Sequence, residues 1–339
     1  MSALVDGRWW RRLLGCLLAS VLCGLAQAKD FERPPQADGG PTEVEVVIAV
    51  MDVDDISDAN QSFTVNVVAG LRWIDSREAH DGEGNIKKPL TEVWYPNVLF
   101  LNRQRIWSAL GEFVEVSPDG EVVYRQQFWG DFSQPMNLHD FPFDRQEFDI
   151  RIVYVGSEAE EDLKLIPNSS MSSFVADGYS VADWKVVDYS THTDPLVVPN
   201  GSRVPSFTMS FTAQRLSQHY IIKVIAPLLM IVLLSWVVFW LNPTEGGSQL
   251  GVAVTAFLTV IAYHVALGSK LPEISYLTRL DVFVFCGTII VFMAMIEVVI
   301  TTGLAQKGKV GIARWLDRVC RFLFPGLLAL GSAYAFLWH

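Results

Sequence analysis

Cysteine is scarce in this chain, and its distribution has a structural consequence. No cysteine lies between Lys29 and Phe285, so the polar stretch that fills this interval cannot hold an internal disulfide. A thiol in an apolar segment behaves as a small hydrophobic side chain. All four cysteines lie in such segments, at Cys16, Cys23, Cys286 and Cys320.

Signatures of catalysis and of metal binding are also missing. The sequence has no paired carboxylates in a plausible site, no serine–histidine–aspartate constellation, no glycine-rich phosphate loop and no metal-ligand spacing. We therefore predict that the protein is not an enzyme and has no catalytic residues, no cofactor and no bound metal. A transporter is disfavoured as well, because the sequence lacks internal repeats and broken helices.

The balance of apolar and charged residues predicts a chain in two parts. Half of the 339 residues are hydrophobic and 19% are charged, with a mean hydropathy of +0.27 and a net charge of −11. Such a chain is too apolar for an ordinary soluble protein and too charged for a pure membrane bundle.

Residues 1–28 have the pattern of a secretory signal peptide. Three arginines precede an apolar run over 13–25, and Ala26-Gln27-Ala28 is a small-x-small cleavage site. The alternative is a retained anchor helix, which the short apolar run disfavours.

Residues 29–219 predict an immunoglobulin-like β-sandwich. Ser117-Pro118-Asp119-Gly120 is a hairpin turn, and 76–84 is polar and aperiodic like a loop. Several short strands at this spacing are typical of a sandwich. Alternating or β-branched segments predict strands at 44–53, 63–74, 114–130, 148–155 and 207–214.

Residues 220–339 predict a transmembrane domain with four helices. Each apolar span has the roughly 20 residues that a membrane crossing needs. A basic cluster lies between the third span and the start of the fourth, so the positive-inside rule places that link in the cytoplasm and the β-domain and C-terminus outside. The predicted helices cover about 220–241, 248–268, 278–304 and 314–338.

The second span carries a small, partly polar stripe. Its members recur at spacings of four, three, four and three, which places them on one helical face. They could serve close helix packing, or several copies around an axis could line a pore. The stripe consists of Gly251, Thr255, Leu258, Ala262 and Val265.

Several motifs resemble those of pentameric ligand-gated ion channels, the Cys-loop receptor superfamily. Phe141-Pro142-Phe143-Asp144-Arg145-Gln146 resembles the FPFD-x-Q element, and Trp94-Tyr95-Pro96-Asn97 resembles the W-x-P-D element. The approach to the first membrane helix and the pore helix with its following loop are similar too. Those similarities rest on Arg215, Tyr220, Pro227, the run 258–263, Leu271-Pro272 and Tyr276.

Two departures from the animal members resemble the prokaryotic branch. Gln134 and Phe148 stand where animal members have the two cysteines of the loop, and the link between the third and fourth spans is very short. The resemblance implies a homopentamer in the cell inner membrane. Each subunit would contribute a periplasmic ligand-binding sandwich, a pore helix and ligand sites at its interfaces.

The resemblance also implies roles for individual residues. Glu245 and Ser248 stand at the selectivity positions of the pore mouth, and Glu245 favours cations; Leu258 is the expected hydrophobic gate. Asp144 and Arg215 are expected to pair at the membrane boundary. The other expected coupling residues are Asp54 and Asp55 in the first β-turn, Phe141, Pro142, Phe143, Leu271 and Pro272.

The ligand site is the least defined part of the resemblance. Positions of the aromatic cage found in amine-binding members hold Leu101, Val155 and Val68. The nearby aromatics that could contact a ligand are Tyr154, Tyr189 and Phe207. We therefore expect a channel gated by a small molecule or by protons and permeable to inorganic cations, with no nucleic-acid partner. The alternative is a membrane-anchored periplasmic sensor without conduction.

Overall fold

The computed structural model describes residues 34–35, 40–156, 163–199, 201–268 and 274–338. The predicted signal peptide at 1–28 and the predicted coupling residues Leu271 and Pro272 lie outside this part of the chain.

The larger of two packed sheets contains the longest strands. Its hydrogen-bonded order is β10-β1-β2-β7-β6-β3, with β5 on β7 and β9 on β1. The strands are β1 (Thr42–Ser57), β2 (Ser62–Ile74), β3 (Ile86–Pro89), β5 (Arg103–Ser108), β6 (Phe113–Val116), β7 (Glu121–Ser133), β9 (Leu163–Pro167) and β10 (Phe174–Val175).

The second sheet has four strands in the order β11-β14-β8-β4, and a small β12–β13 pair lies beside it. A short 3₁₀ turn at Ser76–Glu78 lies between two strands of the larger sheet, and another at Leu90–Glu92 lies where the chain passes from the larger sheet to the second sheet. The remaining strands are β4 (Val98–Phe100), β8 (Arg145–Tyr154), β11 (Trp184–His192), β12 (Leu196–Val197), β13 (Arg203–Val204) and β14 (Ser206–Arg215).

The core lies between the sheets, because alternate residues of each strand point inward. Along β2, the side chains of Phe63, Val65 and Val67 are fully or almost fully buried, whereas the residues between them are partly exposed. Trp94 of the Trp94-Tyr95-Pro96-Asn97 motif packs edge-on against Trp73 at a ring-centroid distance of 5.8 Å. The β-sandwich predicted from the sequence is confirmed.

In the described part of the chain, four helices follow the sandwich, and each is long and apolar enough to cross a membrane. A capping box at the start of α3 pairs Thr278 with Asp281. The helices are α1 (Gln218–Trp240), α2 (Gly246–Gly268), α3 (Arg279–Gln306) and α4 (Val310–Ala333), which continues as a π-turn at Tyr334–Trp338.

The first helix accommodates a proline near its start. Pro227 lacks an amide donor, and the helix widens into a π-turn at Ile221–Ile225 directly before it. Tyr263 of α2 donates its hydroxyl to the backbone carbonyl of Val224 in this turn at 2.7 Å. The irregular backbone is thus hydrogen-bonded to the neighbouring helix.

Candidate functional site

The loop between β7 and β8 joins the sandwich to the helical bundle. The backbone amide of Leu138 donates to the Tyr276 hydroxyl at 3.0 Å, and the His139 ring stacks on the Tyr276 ring at 4.0 Å. At the start of α3, the amides of Arg279 and Leu280 donate to carbonyls of this loop at 3.0 and 3.3 Å. The loop therefore docks on the segment that follows α2.

The same loop also reaches the end of α4. Arg279 forms an ion pair with Asp140 at 2.7 Å and donates to the Phe336 carbonyl at 3.0 Å. The Phe143 ring packs edge-on against the Phe336 ring at 5.7 Å. Sequence reasoning did not assign His139, Asp140, Arg279 or Phe336 to this junction, because their roles arise from contacts between distant segments.

Gln146, at the start of β8, stabilises the conformation of the loop through three hydrogen bonds. Its side-chain amide donates to the Asp144 carboxylate and to the Asn137 carbonyl, both at 2.7 Å, and accepts from the Asn137 amide at 3.1 Å. The conformation of the loop and the orientation of Asp144 are thereby fixed together.

Arg215 is the charged centre of the junction. Its guanidinium lies 2.8 Å from the Asp144 carboxylate, and the pairing expected from the sequence is present. Two further bonds of 2.8 and 2.7 Å join the same guanidinium to both carboxylate oxygens of Asp58. The guanidinium also lies over the rings of Trp184 and Phe141 at 4.1 and 4.8 Å.

Burial and pairing act on these charges in opposite directions. Burial alone would lower the pKa of Arg215, but hydrogen bonds to Asp144 and Asp58 outweigh it and raise that pKa, so the guanidinium stays charged. Burial raises the pKa of Asp58 above its usual range, although the Arg215 guanidinium opposes the shift. Asp58 is therefore easier to protonate than an exposed aspartate.

The prediction that Asp54 and Asp55 lie in the first β-turn is wrong. β1 continues to Ser57, so both aspartates belong to the strand, and Asp54 accepts a hydrogen bond from the Trp129 indole at 2.7 Å. Asp58 is the acid at the turn. Alternation could not show this, because Val53 and Ile56 are three residues apart; register shifts between Val50 and Asp52 and between Val53 and Asp55 keep both side chains buried.

The stripe on α2 faces away from the rest of its own subunit. All five stripe residues, Gly251, Thr255, Leu258, Ala262 and Val265, are exposed, with Leu258 61% and Val265 71% exposed. At about 100° per residue, the buried residues of α2 lie on the opposite side of the helix. They are Gln249, Ala253, Ala256, Val260 and Leu267.

Some polar side chains at the start of α2 and along it are exposed, whereas one is buried against its own subunit. The Thr255 hydroxyl donates to the Gly251 carbonyl at 2.8 Å, so it is satisfied on the helix and still presents an oxygen on the stripe. Glu245 and Ser248 are exposed at the helix start, and the Ser248 amide donates to the Glu245 carbonyl at 2.9 Å. Gln249 is buried and donates to the Leu241 carbonyl at 3.1 Å.

The three aromatics predicted near a ligand do not form an open cage within one subunit. Phe207 is completely buried between the sheets and belongs to the core, so its prediction as a ligand contact is wrong. Tyr154 is 8% exposed, whereas Tyr189 on β11 is 47% exposed. Within the described ranges, no group of three or more His, Cys, Asp or Glu side chains could hold a metal ion.

Two family models match the sequence in the order of its two domains. Residues 23–215 match the neurotransmitter-gated ion-channel ligand binding domain, and residues 224–309 match the neurotransmitter-gated ion-channel transmembrane region. The first match ends at Arg215, where the sandwich ends. The second covers α2 and α3 and ends just before α4.

Proposed function

The chain belongs to the neurotransmitter-gated ion-channel family, and from this premise we propose that five copies form a ligand- or proton-gated channel with α2 lining the pore. Its extracellular β-sandwich and its multi-pass membrane domain are those of a ligand-gated channel.

The exposed stripe on α2 carries this proposal. A membrane helix gains nothing from presenting glycine, threonine and alanine to lipid, whereas these residues suit an axis at which several helices meet. Because the opposite face of α2 packs on its own subunit, the stripe is free to face the corresponding helices of other subunits.

Charge at the pore mouth supports a preference for cations. Glu245 is exposed just before α2, and five copies would form a ring of carboxylates that concentrates cations. The net charge of −11 adds a negative field. Ser248, in the first turn of α2, adds no charge and makes the preference mild.

Contacts at the junction support a route from ligand site to pore. The loop that holds Asp144 and Phe143 is hydrogen-bonded to Tyr276, the Tyr276 segment follows α2, and Asp144 is ion-paired with Arg215 ahead of α1. A displacement of the sandwich would therefore act on the start of α1 and on the segment that follows α2.

The stimulus that we propose is a small organic ligand or protons rather than a quaternary amine. Leu101, Val155 and Val68 occupy the cage positions implied by the resemblance, and of the three nearby aromatics Tyr189 alone is widely exposed. We further propose a prokaryotic protein that loses residues 1–28 and resides in the inner membrane with its sandwich in the periplasm.

Planar-bilayer recording with a ligand and pH screen, alongside native mass spectrometry in detergent, tests the proposal. We expect five subunits and currents that follow pH or a small ligand. A dimer or trimer would contradict the pore assignment. A pentamer that conducts under no condition would favour the sensor alternative, and pH-independent currents evoked by acetylcholine alone would overturn the proposed stimulus.

A further inference from the structure

Two carboxyl groups face each other inside the helical bundle, away from both the stripe and the junction. Glu297 on α3 is 7% exposed and Asp317 on α4 is 2% exposed. The two carboxyls are close enough to interact electrostatically and through a hydrogen bond, across the contact between α3 and α4. A buried acid in a membrane segment is costly unless its charge is neutralised or paired.

The surroundings of the pair supply only part of that neutralisation. Arg321 acts on Asp317, and the Cys320 thiol faces both acids. In the described parts of α1 and α2, no titratable group acts on either carboxyl. One guanidinium therefore balances one of the two negative charges that the ionised pair would carry.

The pair also lacks hydrogen-bond donors. Among the described residues, no group bonds to either carboxyl oxygen of Glu297 or to Oδ1 of Asp317. An ionised carboxylate only accepts hydrogen bonds, so two of them cannot satisfy each other; a protonated carboxyl can donate to an ionised one. One proton on one of the two carboxyls would therefore satisfy both the charge and the hydrogen bonding of the pair.

We propose that Glu297 and Asp317 form a proton-binding site that holds one proton between α3 and α4. Glu297 carries the proton and donates it to the Asp317 carboxylate, whose charge Arg321 balances. Because Arg321 lies one turn after Asp317 on α4 and interacts electrostatically with it, we assign the remaining negative charge to Asp317.

The site makes the attachment of α4 dependent on the proton. Arg321 donates through Nε to the Phe239 carbonyl at 2.9 Å, and its own carbonyl accepts from the Trp236 indole at 3.0 Å, so this turn of α4 is also tied to α1. Loss of the proton would set two negative charges against each other in the bundle. We expect α4 to loosen from α3 as the pH rises.

Infrared spectroscopy of the purified, full-length protein tests the proton directly. At neutral pH the wild type should show a carboxylic-acid C=O band, although exposed glutamates are ionised there. Glu297→Gln should lose this band. Asp317→Asn should keep it at a shifted frequency, and Glu83→Gln, in an exposed loop, should leave it unchanged. A band that survives Glu297→Gln, or that is lost in Asp317→Asn, overturns the assignment.

Thermal unfolding tests the consequence without relying on conduction. The melting temperature of the wild type should fall on alkaline titration more steeply than that of Glu297→Gln, whose amide stays neutral and still donates to Asp317. Parallel profiles would overturn the proton-linked attachment of α4. A protein that fails to conduct but shows both results would contradict the proposed channel and not this site.

Discussion

Arg215 lies at the end of β14, just before α1 begins, and its guanidinium is almost completely buried. Desolvation of a guanidinium is costly, and two carboxylates and the rings of Trp184 and Phe141 surround it in compensation. The trio of Arg215, Asp144 and Asp58 carries a formal charge of −1 when all three groups are ionised. Removing the arginine is therefore worse than removing one acid.

Arg215→Gln should destabilise the sandwich and its junction strongly. The two carboxylates would face each other with no cation between them, and breaking a buried pair in this way costs about 3–5 kcal/mol. We expect that loss in the free energy of unfolding, measured by denaturation in detergent. Arg203→Gln, at an exposed position on β13, is the matched control; an equal loss in both variants would contradict the role of burial.

Asp58 should give the junction a measurable pH dependence. Because burial raises its pKa in the folded state, folding takes up a proton at this carboxyl. That stability is present at low pH and is lost as the pH rises from about 4, the ordinary aspartate value, through the raised pKa. Asp58→Asn cannot titrate, so the wild type should gain melting temperature relative to this variant as the pH falls.

A pH series of melting curves in detergent measures this difference. Asp81→Asn, in the exposed loop after β2, is the control and should run parallel to the wild type throughout. A difference between wild type and Asp58→Asn that stays constant across the series would contradict a raised pKa at Asp58.

Whole elements were largely predictable from local pattern. β2, β8 and β14 lie where the alternation predicted strands, and Ser117-Pro118-Asp119-Gly120 lies at the turn between β6 and β7. The four helices could be predicted because about 20 apolar residues in succession leave few alternatives. These features depend on neighbours along the chain, which a sequence shows.

Features that depend on distant segments were less predictable. Alternation alone left the β1–β2 turn a few residues too early, so Asp58 was missed as the partner of Arg215. Phe207 is an aromatic residue of the kind that often contacts ligands, but it packs between the two sheets and belongs to the core. The contact of Phe143 with Phe336 joins elements far apart in the sequence and leaves no local signal.

The Phe143–Phe336 contact should couple the junction loop to the end of α4. An edge-on aromatic pair contributes about 0.5–1.5 kcal/mol beyond its buried area. A double-mutant cycle with Phe143→Ala and Phe336→Ala, read by thermal unfolding, should show a coupling energy in this range. A cycle of Phe143→Ala with Phe322→Ala, whose ring is 80% exposed, should be additive; coupling in both cycles would contradict a local contact.

At the scale of the whole molecule, the ring of Glu245 carboxylates that we propose at the pore mouth should set the strength of the proposed cation preference. In asymmetric salt, we expect the wild-type reversal potential to shift toward the cation equilibrium value. Glu245→Gln should reduce the shift, because the ring loses five carboxylates at once. Glu83→Gln, in an exposed loop of the sandwich, should leave it unchanged. A wild-type shift toward chloride would contradict cation selectivity.

Gating of the assembled pore should depend on Leu258. It is the large apolar residue of the stripe between Thr255 and Ala262, and 61% of it is exposed in one subunit. In the closed pore, five leucines at one level would keep the constriction dry. Leu258→Ser adds five hydroxyls there, so the closed state alone loses stability and the equilibrium moves toward opening.

We expect Leu258→Ser to raise basal current or to lower the stimulus for half-activation by about tenfold or more, since about 1.4 kcal/mol between states already gives that factor. Phe257 is the matched control, because its ring packs on Phe292 of α3 at 5.6 Å and lies off the stripe. Phe257→Ser should impair packing and expression without raising basal current. If Leu258→Ser left currents unchanged while Phe257→Ser opened the channel, the pore would lie along a different face of α2.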